Sequence, residues 1–187
     1  MSQSDPRPIP PKTQPADEEA VNRRTIDRLV VDHLPAALAF AQRLAGNADV
    51  AEDLVQETLC RVLRQWKSYR GQAAFKTWMF QILLNADRDR RRRQRSTDDV
   101  PQEQLTIYAP SPHQRVTAEE LREQIRREIA RLPDRQREVA VLTLGEGYTA
   151  AESAEILGTS VANVQTCLHL ARKRIGAAIG LDDLAPK

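Results

Sequence analysis

The chain has 187 residues, a formal net charge of +2, seven glycines and two cysteines. That length suffices for one domain or two small ones. Scarce glycine, no sustained strand-like alternation and a predominance of Ala, Leu, Arg and Glu predict an all-α fold, which we read as two small helical domains joined by a flexible linker. No apolar run approaches the roughly 18–20 residues that a membrane span requires, the N-terminus has no signal-peptide core, and Cys60 and Cys167 lack metal-site or disulfide spacing. A soluble cytoplasmic protein with no metal and no cofactor is expected.

Residues 1–17 hold five prolines and a single aliphatic residue, Ile9, too little to bury, and are read as a disordered tail. From Glu18 the apolar residues Ile26, Leu29, Val30 and Leu34 recur at helical steps. Pro35 suits the first turn of a second helix, where a missing N–H costs nothing, and Gly46 suits its end. Asp49 is the expected cap of a third helix, Val50 to Trp66. Its apolar stripe comprises Val50, Leu54, Val55, Leu59, Val62, Leu63 and Trp66, and Glu52, Asp53, Gln56 and Glu57 lie opposite on one face.

Residues 67–74 read as a loop, followed by a helix from Phe75 to Arg93 with Phe75, Trp78, Met79, Ile82, Leu83 and Ala86 inward. After Ala86 the apolar face stops, and the last two turns are expected to project beyond the core. Five of the chain's eight aromatics (Trp66, Tyr69, Phe75, Trp78, Phe80) precede Arg88, Arg90, Arg91, Arg92, Arg93 and Arg95. Flat rings beside guanidinium groups suit stacking of unpaired bases with phosphates held between. A core role for the rings and a solvated helix end remain open. Residues 20–96 carry fifteen Lys/Arg against eight Asp/Glu, whereas residues 118–180 carry nine of each, so the first half is the one suited to a polyanion.

Residues 97–117 have three prolines and no periodicity and read as an interdomain linker. The expected boundaries are therefore 18–96 for the first domain and 118–180 for the second, with 181–187 a tail. Thr117 and Glu120 form a capping box opening a helix to Leu132. Asp134 can cap a helix from Arg135 to about Leu144, and Gly145 and Gly147 end it. Thr149 and Glu152 form a second capping box before a short helix, a turn at Gly158, Thr159 and Ser160, and a long helix from Val161. This is a helix-turn-helix pattern, with Ala154 permitting close approach and Ile156, Leu157, Val161, Val164 and Leu168 supplying contact.

The strings AEDLVQETLCRVL (Ala51–Leu63), YRGQAAFKTWMFQILLNADRDRRRR (Tyr69–Arg93) and RLPDRQREVAVLTLGEGYTAAESAEILGTSVANVQTCLHLARKRI (Arg131–Ile175) resemble regions 2 and 4 of bacterial RNA polymerase sigma factors of the extracytoplasmic-function (ECF) type, within the sigma-70 family. The resemblance implies a subunit that binds core RNA polymerase, recognises a two-part promoter and melts the minus-ten element for transcription initiation. It implies polymerase binding, at the clamp helices of the largest subunit and the flap region, with Glu52, Asp53, Gln56 and Glu57 at the clamp helices. It implies minus-ten DNA contacts, double- and single-stranded, at Tyr69, Arg70, Phe75, Lys76, Thr77, Trp78, Gln81, Asn85, Arg88, Arg91 and Arg92. On the minus-thirty-five side the corresponding residues are Thr159, Ser160, Asn163, Gln165, Thr166, His169, Arg172 and Lys173. An anti-sigma factor is a further expected partner.

The likeness is imperfect in the recognition helix. Gln165 and Cys167 stand where a lysine and an arginine are usual, and Ser153 stands where the family has an aliphatic residue, so weaker upstream binding is expected. No catalytic set is present: His33, His113 and His169 lie far apart in sequence and no phosphate-binding glycine loop occurs. Two other readings are an ordinary helix-turn-helix regulator and a sigma-like decoy that binds polymerase without reading DNA.

Overall fold

The computed structural model describes residues 15–69, 74–97 and 118–180. Residues 1–14, the core of the proline-rich tail, lie outside the described residues, as do 98–117 of the linker (Thr117 of the first capping box among them), 181–187 and the candidate DNA contact Arg70. Every described element is helical. Helices α1 (Pro15–Ala45), α2 (Ala48–Gln65) and α3 (Phe75–Thr97) build the first domain, with a short 3-10 turn at Trp66–Ser68. Helices α4 (Ala118–Arg131), α5 (Asp134–Ala140), α6 (Ala150–Leu157) and α7 (Val161–Ile179) build the second.

The first correction concerns α1, which begins at Pro15 and runs unbroken through Pro35. A proline inside a helix removes one hydrogen bond and crowds the preceding turn, at about 3 kcal/mol. Here the residue four before it, Val31, and Pro35 itself are exposed, so water can reach the carbonyl that lost its donor. On the opposite side Ile26, Ala37, Phe40, Ala41 and Leu44 are buried in one core, and that packing carries the helix across the proline.

At the α1–α2 corner the cap is Asn47 rather than Asp49. Asn47 is extended (φ −140°, ψ 135°) and its side chain accepts from the Val50 N–H at 3.1 Å, while Asp49 sits in the first turn, where a carboxylate favours the helix dipole. Gly46 closes α1 at φ +70°, with its N–H donating to Gln42 O at 2.9 Å. In α2 the buried residues are Ala51, Leu54, Val55, Thr58 and Val62. Thr58 is satisfied by donating to Leu54 O at 2.7 Å, whereas Leu63, expected inside, is exposed.

Helix α3 extends to Thr97 and does not leave the core at Ala86. Asp87 is fully buried and Arg91 is 8% exposed, because Asp134 and Glu138 of α5 lie against this part of α3.

In the second domain, Pro133 holds the cap position of α5 without a side-chain cap, because the Asp134 carboxylate turns instead to Arg91 and Arg95. Helix α5 ends at Ala140, and Val141–Gly145 form a wider π turn in which the Glu146 N–H reaches back to Val141 O. The Thr149/Glu152 capping box is present in full. Gly158 adopts φ +61° and Ser160 caps α7, so α6, the turn and α7 form the helix-turn-helix. Ala154, Ile156, Leu157, Val164 and Ala171 are buried between its helices, and Cys167 joins them at 8% exposure. Val161, expected in that contact, is instead 41% exposed.

Candidate nucleic-acid and polymerase interfaces

The aromatic stretch divides into two populations. Phe80 stacks on Phe40 (centroids 4.2 Å apart) and is fully buried. Phe75, also buried, sits among His33 (5.5 Å), Tyr69 (5.4 Å) and Trp78 (5.5 Å). Tyr69 and Trp78 lie 5.1 Å apart and remain half-buried. Of the four candidate contacts at the start of α3, Phe75 thus serves the core, and Trp78 keeps a partly open face supported from beneath. Gln81 and Asn85, one and two turns further along, are exposed.

The arginine row has intramolecular partners. Arg88 donates through Nε and a terminal nitrogen to the two carboxylate oxygens of Glu138, both at 2.8 Å, and this raises its pKa despite burial. Arg91 pairs with Asp87 and with Asp134, Arg95 with Asp134, and Arg90 reaches Asp87 at 2.8 Å. Arg92 meets Asp89 at 3.0 Å. Burial alone would raise the Asp134 carboxyl, but Arg91 and Arg95 outweigh it and hold the group below its ordinary value.

At the other end of the same face, Lys76 pairs with Glu146 at 2.8 Å, and Arg43 of α1 pairs with the second oxygen of that carboxylate. Thr77 and Tyr148 share a hydroxyl hydrogen bond at 3.1 Å. The sequence reasoning missed these partners. One signal was present: Asp87 continues the Leu83 register by four residues, and Glu138 opens an otherwise apolar run, so both acids occupy inward positions.

The candidate polymerase face is intact on α2. Glu52, Asp53 and Gln56 are exposed, and Glu57 accepts from Arg61 at 2.7 Å, which lowers its pKa. Arg61 also donates to Asp89 of α3 at 2.9 Å, lowering that carboxyl too, so one guanidinium ties the acidic face to α3.

On α7, Asn163 donates to Thr159 Oγ1 at 2.9 Å and accepts from the Cys167 thiol at 3.8 Å, and its own N–H is capped by Ser160. Thr166 donates to Ala162 O at 3.0 Å. Among the described residues, Gln165 and His169 are exposed with no side-chain hydrogen bond, and Arg172, Lys173 and Arg174 form no ion pair. Cys167 faces the helix-turn-helix core and does not point outward. Ser153 is buried with no partner for its hydroxyl. Among the described residues no group of His, Cys, Asp or Glu could hold a metal ion, and no helix is long and apolar enough to cross a membrane.

Three helices with an acidic outer face on α2, followed by a helix-turn-helix, define an all-α architecture carrying a DNA-binding motif. The family model for sigma-70 region 2 matches residues 29–97 and that for sigma-70 region 4 matches residues 122–175. The chain is 34% identical to the ECF RNA polymerase sigma factor EcfG of Rhodopseudomonas palustris, over 82% of this chain and 86% of that one. Among solved structures it is similar to the sigma factor RpoE of Bartonella quintana in complex with the anti-sigma factor NepR (TM-score 0.69, 27% identity, covering 85% of this chain and 99% of that one). It is also similar to CnrH in complex with the cytosolic domain of CnrY (TM-score 0.61, 28% identity, covering 90% and 96%). The chain belongs to the ECF sigma factors of the sigma-70 family.

Proposed function

We infer that the protein works as a non-catalytic initiation subunit in the cytoplasm, binding core RNA polymerase and directing it to promoters, with each half taking one DNA element. The observation that carries this reading is the ordered pair of region 2 and region 4 matches laid on a fold whose acidic α2 face and α7 face both point outward. Glu52, Asp53, Gln56 and Glu57 would dock on polymerase. Trp78, Gln81 and Asn85 would receive the extruded strand: flipping a base costs a few kcal/mol, stacking on an aromatic returns roughly 1–3 kcal/mol, and an Asn side chain offers both a donor and an acceptor. Gln165 and His169 would read the upstream element from the major groove, and Arg172 and Lys173 would hold phosphates. Because RpoE is solved with the anti-sigma factor NepR, an anti-sigma factor is proposed as a partner here too.

The test is run-off transcription with purified core polymerase on a pool of genomic promoter fragments, comparing wild type with a Trp78→Ala/Asn85→Ala variant. Defined start sites produced by the wild type alone support the reading. Polymerase binding without any transcript would identify a decoy, and loss of polymerase binding as well would return the protein to the helix-turn-helix regulators.

A further inference from the structure

A stacking platform works best when its ring is already in place, because motion frozen on binding subtracts from affinity. Trp78, the half-buried ring that would take an extruded base, lies 5.1 Å from Tyr69 and 5.5 Å from Phe75. Tyr69 in turn meets Phe75 edge-on at 5.4 Å. Phe75 opens α3 and is 4% exposed, so it is the buried member on which the two half-open rings rest. On its flank comes a ring from another helix: His33 of α1, with its centre 5.5 Å from that of Phe75 and an interplanar angle of 57°. The His33 ring is itself tethered, since its Nδ1 lies 2.8 Å from the Leu29 carbonyl oxygen one turn back along α1. A carbonyl only accepts, so Nδ1 carries the proton and donates it. A leucine here could fill the volume but would have no donor with which to hold its orientation.

We propose that His33 is a positioning residue for promoter melting: tethered to the Leu29 carbonyl, its ring backs Phe75 and thereby holds Trp78 in the attitude that receives an extruded base. This role rests on the assignment of Trp78 to single-stranded DNA made above and extends it. The other residues assigned to the minus-ten element all lie between Tyr69 and Arg92, whereas His33 belongs to α1 and acts through Phe75 without touching DNA. The path is short, with one ring contact from α1 to α3 and one more across a single turn of α3. The contacts among Tyr69, Phe75 and Trp78 are tilted or edge-on, the arrangements that the ring quadrupole favours. Displacing Phe75 therefore disturbs the rings on both sides of it.

The experiment compares full-length wild type, His33→Leu, which loses both ring and donor, and His33→Phe, which keeps the ring and loses the tether. The first readout needs no polymerase. The chain has two tryptophans, so a Trp66→Phe background leaves Trp78 alone, and time-resolved fluorescence anisotropy reports its nanosecond motion. That motion should be largest in His33→Leu, intermediate in His33→Phe and smallest with His33 intact. The second readout is permanganate reactivity of unpaired minus-ten thymines in promoter complexes with core polymerase. The melted fraction should fall about fivefold in His33→Leu, within the range that an aromatic contact supports, and less in His33→Phe. Polymerase affinity should be unchanged in both, which a general loss of stability would not leave intact, and circular dichroism checks the fold. Should His33→Leu fail to fold, His33→Phe against wild type decides, and no change in either readout overturns the proposal. Unchanged Trp78 motion, unchanged melting, or a His33→Phe protein no better than His33→Leu also overturns it. Wild-type melting with an unaffected His33→Leu removes the positioning role and keeps the sigma reading. Absence of polymerase-dependent melting by the wild type, with Trp78 still freed in His33→Leu, removes the sigma reading and leaves the hold of His33 on Trp78.

Discussion

Arg88 of α3 and Glu138 of α5, fifty residues apart, form a bidentate pair with both contacts at 2.8 Å, and Arg135 adds a third donor to the same carboxylate at 3.0 Å. Replacing Glu138 with Ala leaves two guanidinium groups facing a vacated, enclosed position. The expected loss is roughly 1–3 kcal/mol, as for hydrogen bonds to charged groups, and less than for a fully buried pair because water screens the exposed third of Arg88. Urea denaturation measures it. A Glu138→Leu/Arg88→Met double variant should recover most of the loss, since replacing both partners by apolar groups is often near neutral.

Gly46 is required twice, by its φ of +70° and by the 2.7 Å approach to Ala130. Gly46→Ala should therefore destabilise by about 1–2 kcal/mol from the left-handed backbone alone, plus the clash. The two parts separate experimentally: adding Ala130→Gly relieves the clash and leaves the backbone cost, so thermal unfolding should recover partially. Full recovery would show that the backbone strain is absent.

Ser153 lies in the helix-turn-helix core with a hydroxyl that has no partner. Burying an unpaired hydroxyl costs about 1–3 kcal/mol by mutational measure. Ser153→Ala removes the group without adding volume and should raise the melting temperature. A fall would mean that the hydroxyl is satisfied in solution.

Asp134 sets an acid limit on the interdomain contact. Its carboxyl lies below the ordinary value of 3.8 in the folded protein, since Arg91 and Arg95 outweigh the opposing effect of burial. A group with a lowered folded pKa binds fewer protons folded than unfolded, so its stabilisation is complete above about pH 4 and is lost as pH falls through the folded value. Arg137 also approaches this carboxylate, at 3.8 Å. In urea melts between neutral pH and pH 3, Asp134→Asn should be less stable than wild type at neutral pH, with the gap closing in acid. A gap independent of pH would show that charge is not what Asp134 contributes.

Much of this architecture was legible because helical periodicity and caps are local. The Thr149/Glu152 box, the Gly158 turn and the inward face of α7 follow from spacings of three and four residues. The errors arose where a distant partner decides the outcome. Pro35 continues a helix because Phe40 and Leu44 have a core to enter, and Asp134 abandons its capping role for Arg91 and Arg95 across the interface. The arginine row was expected to hold phosphates, and no local pattern could say that Glu138 and Asp134 stand against it. In the same way, Cys167 resembled a lost DNA contact on a list of positions and is a core residue in space.

The recognition helix separates reading from holding. The side chains of Gln165 and His169 are exposed without hydrogen bonds, whereas that of Asn163 is engaged by Thr159 and Cys167. In binding of the polymerase complex to a two-element promoter, Gln165→Ala should lower discrimination at one upstream position, by the roughly 1–3 kcal/mol that a good bidentate base contact provides, with little change on promoters that lack the element. Asn163→Ala should cost stability of the turn as well as affinity, visible in thermal melts without DNA. Lys173→Ala should weaken all promoters alike and reduce the salt dependence by about one counterion. Because Cys167 contributes no charge and points into the core, Cys167→Arg should unfold the domain rather than restore a contact. A folded Cys167→Arg protein with tighter upstream binding would place that position on the DNA face and reverse the assignment.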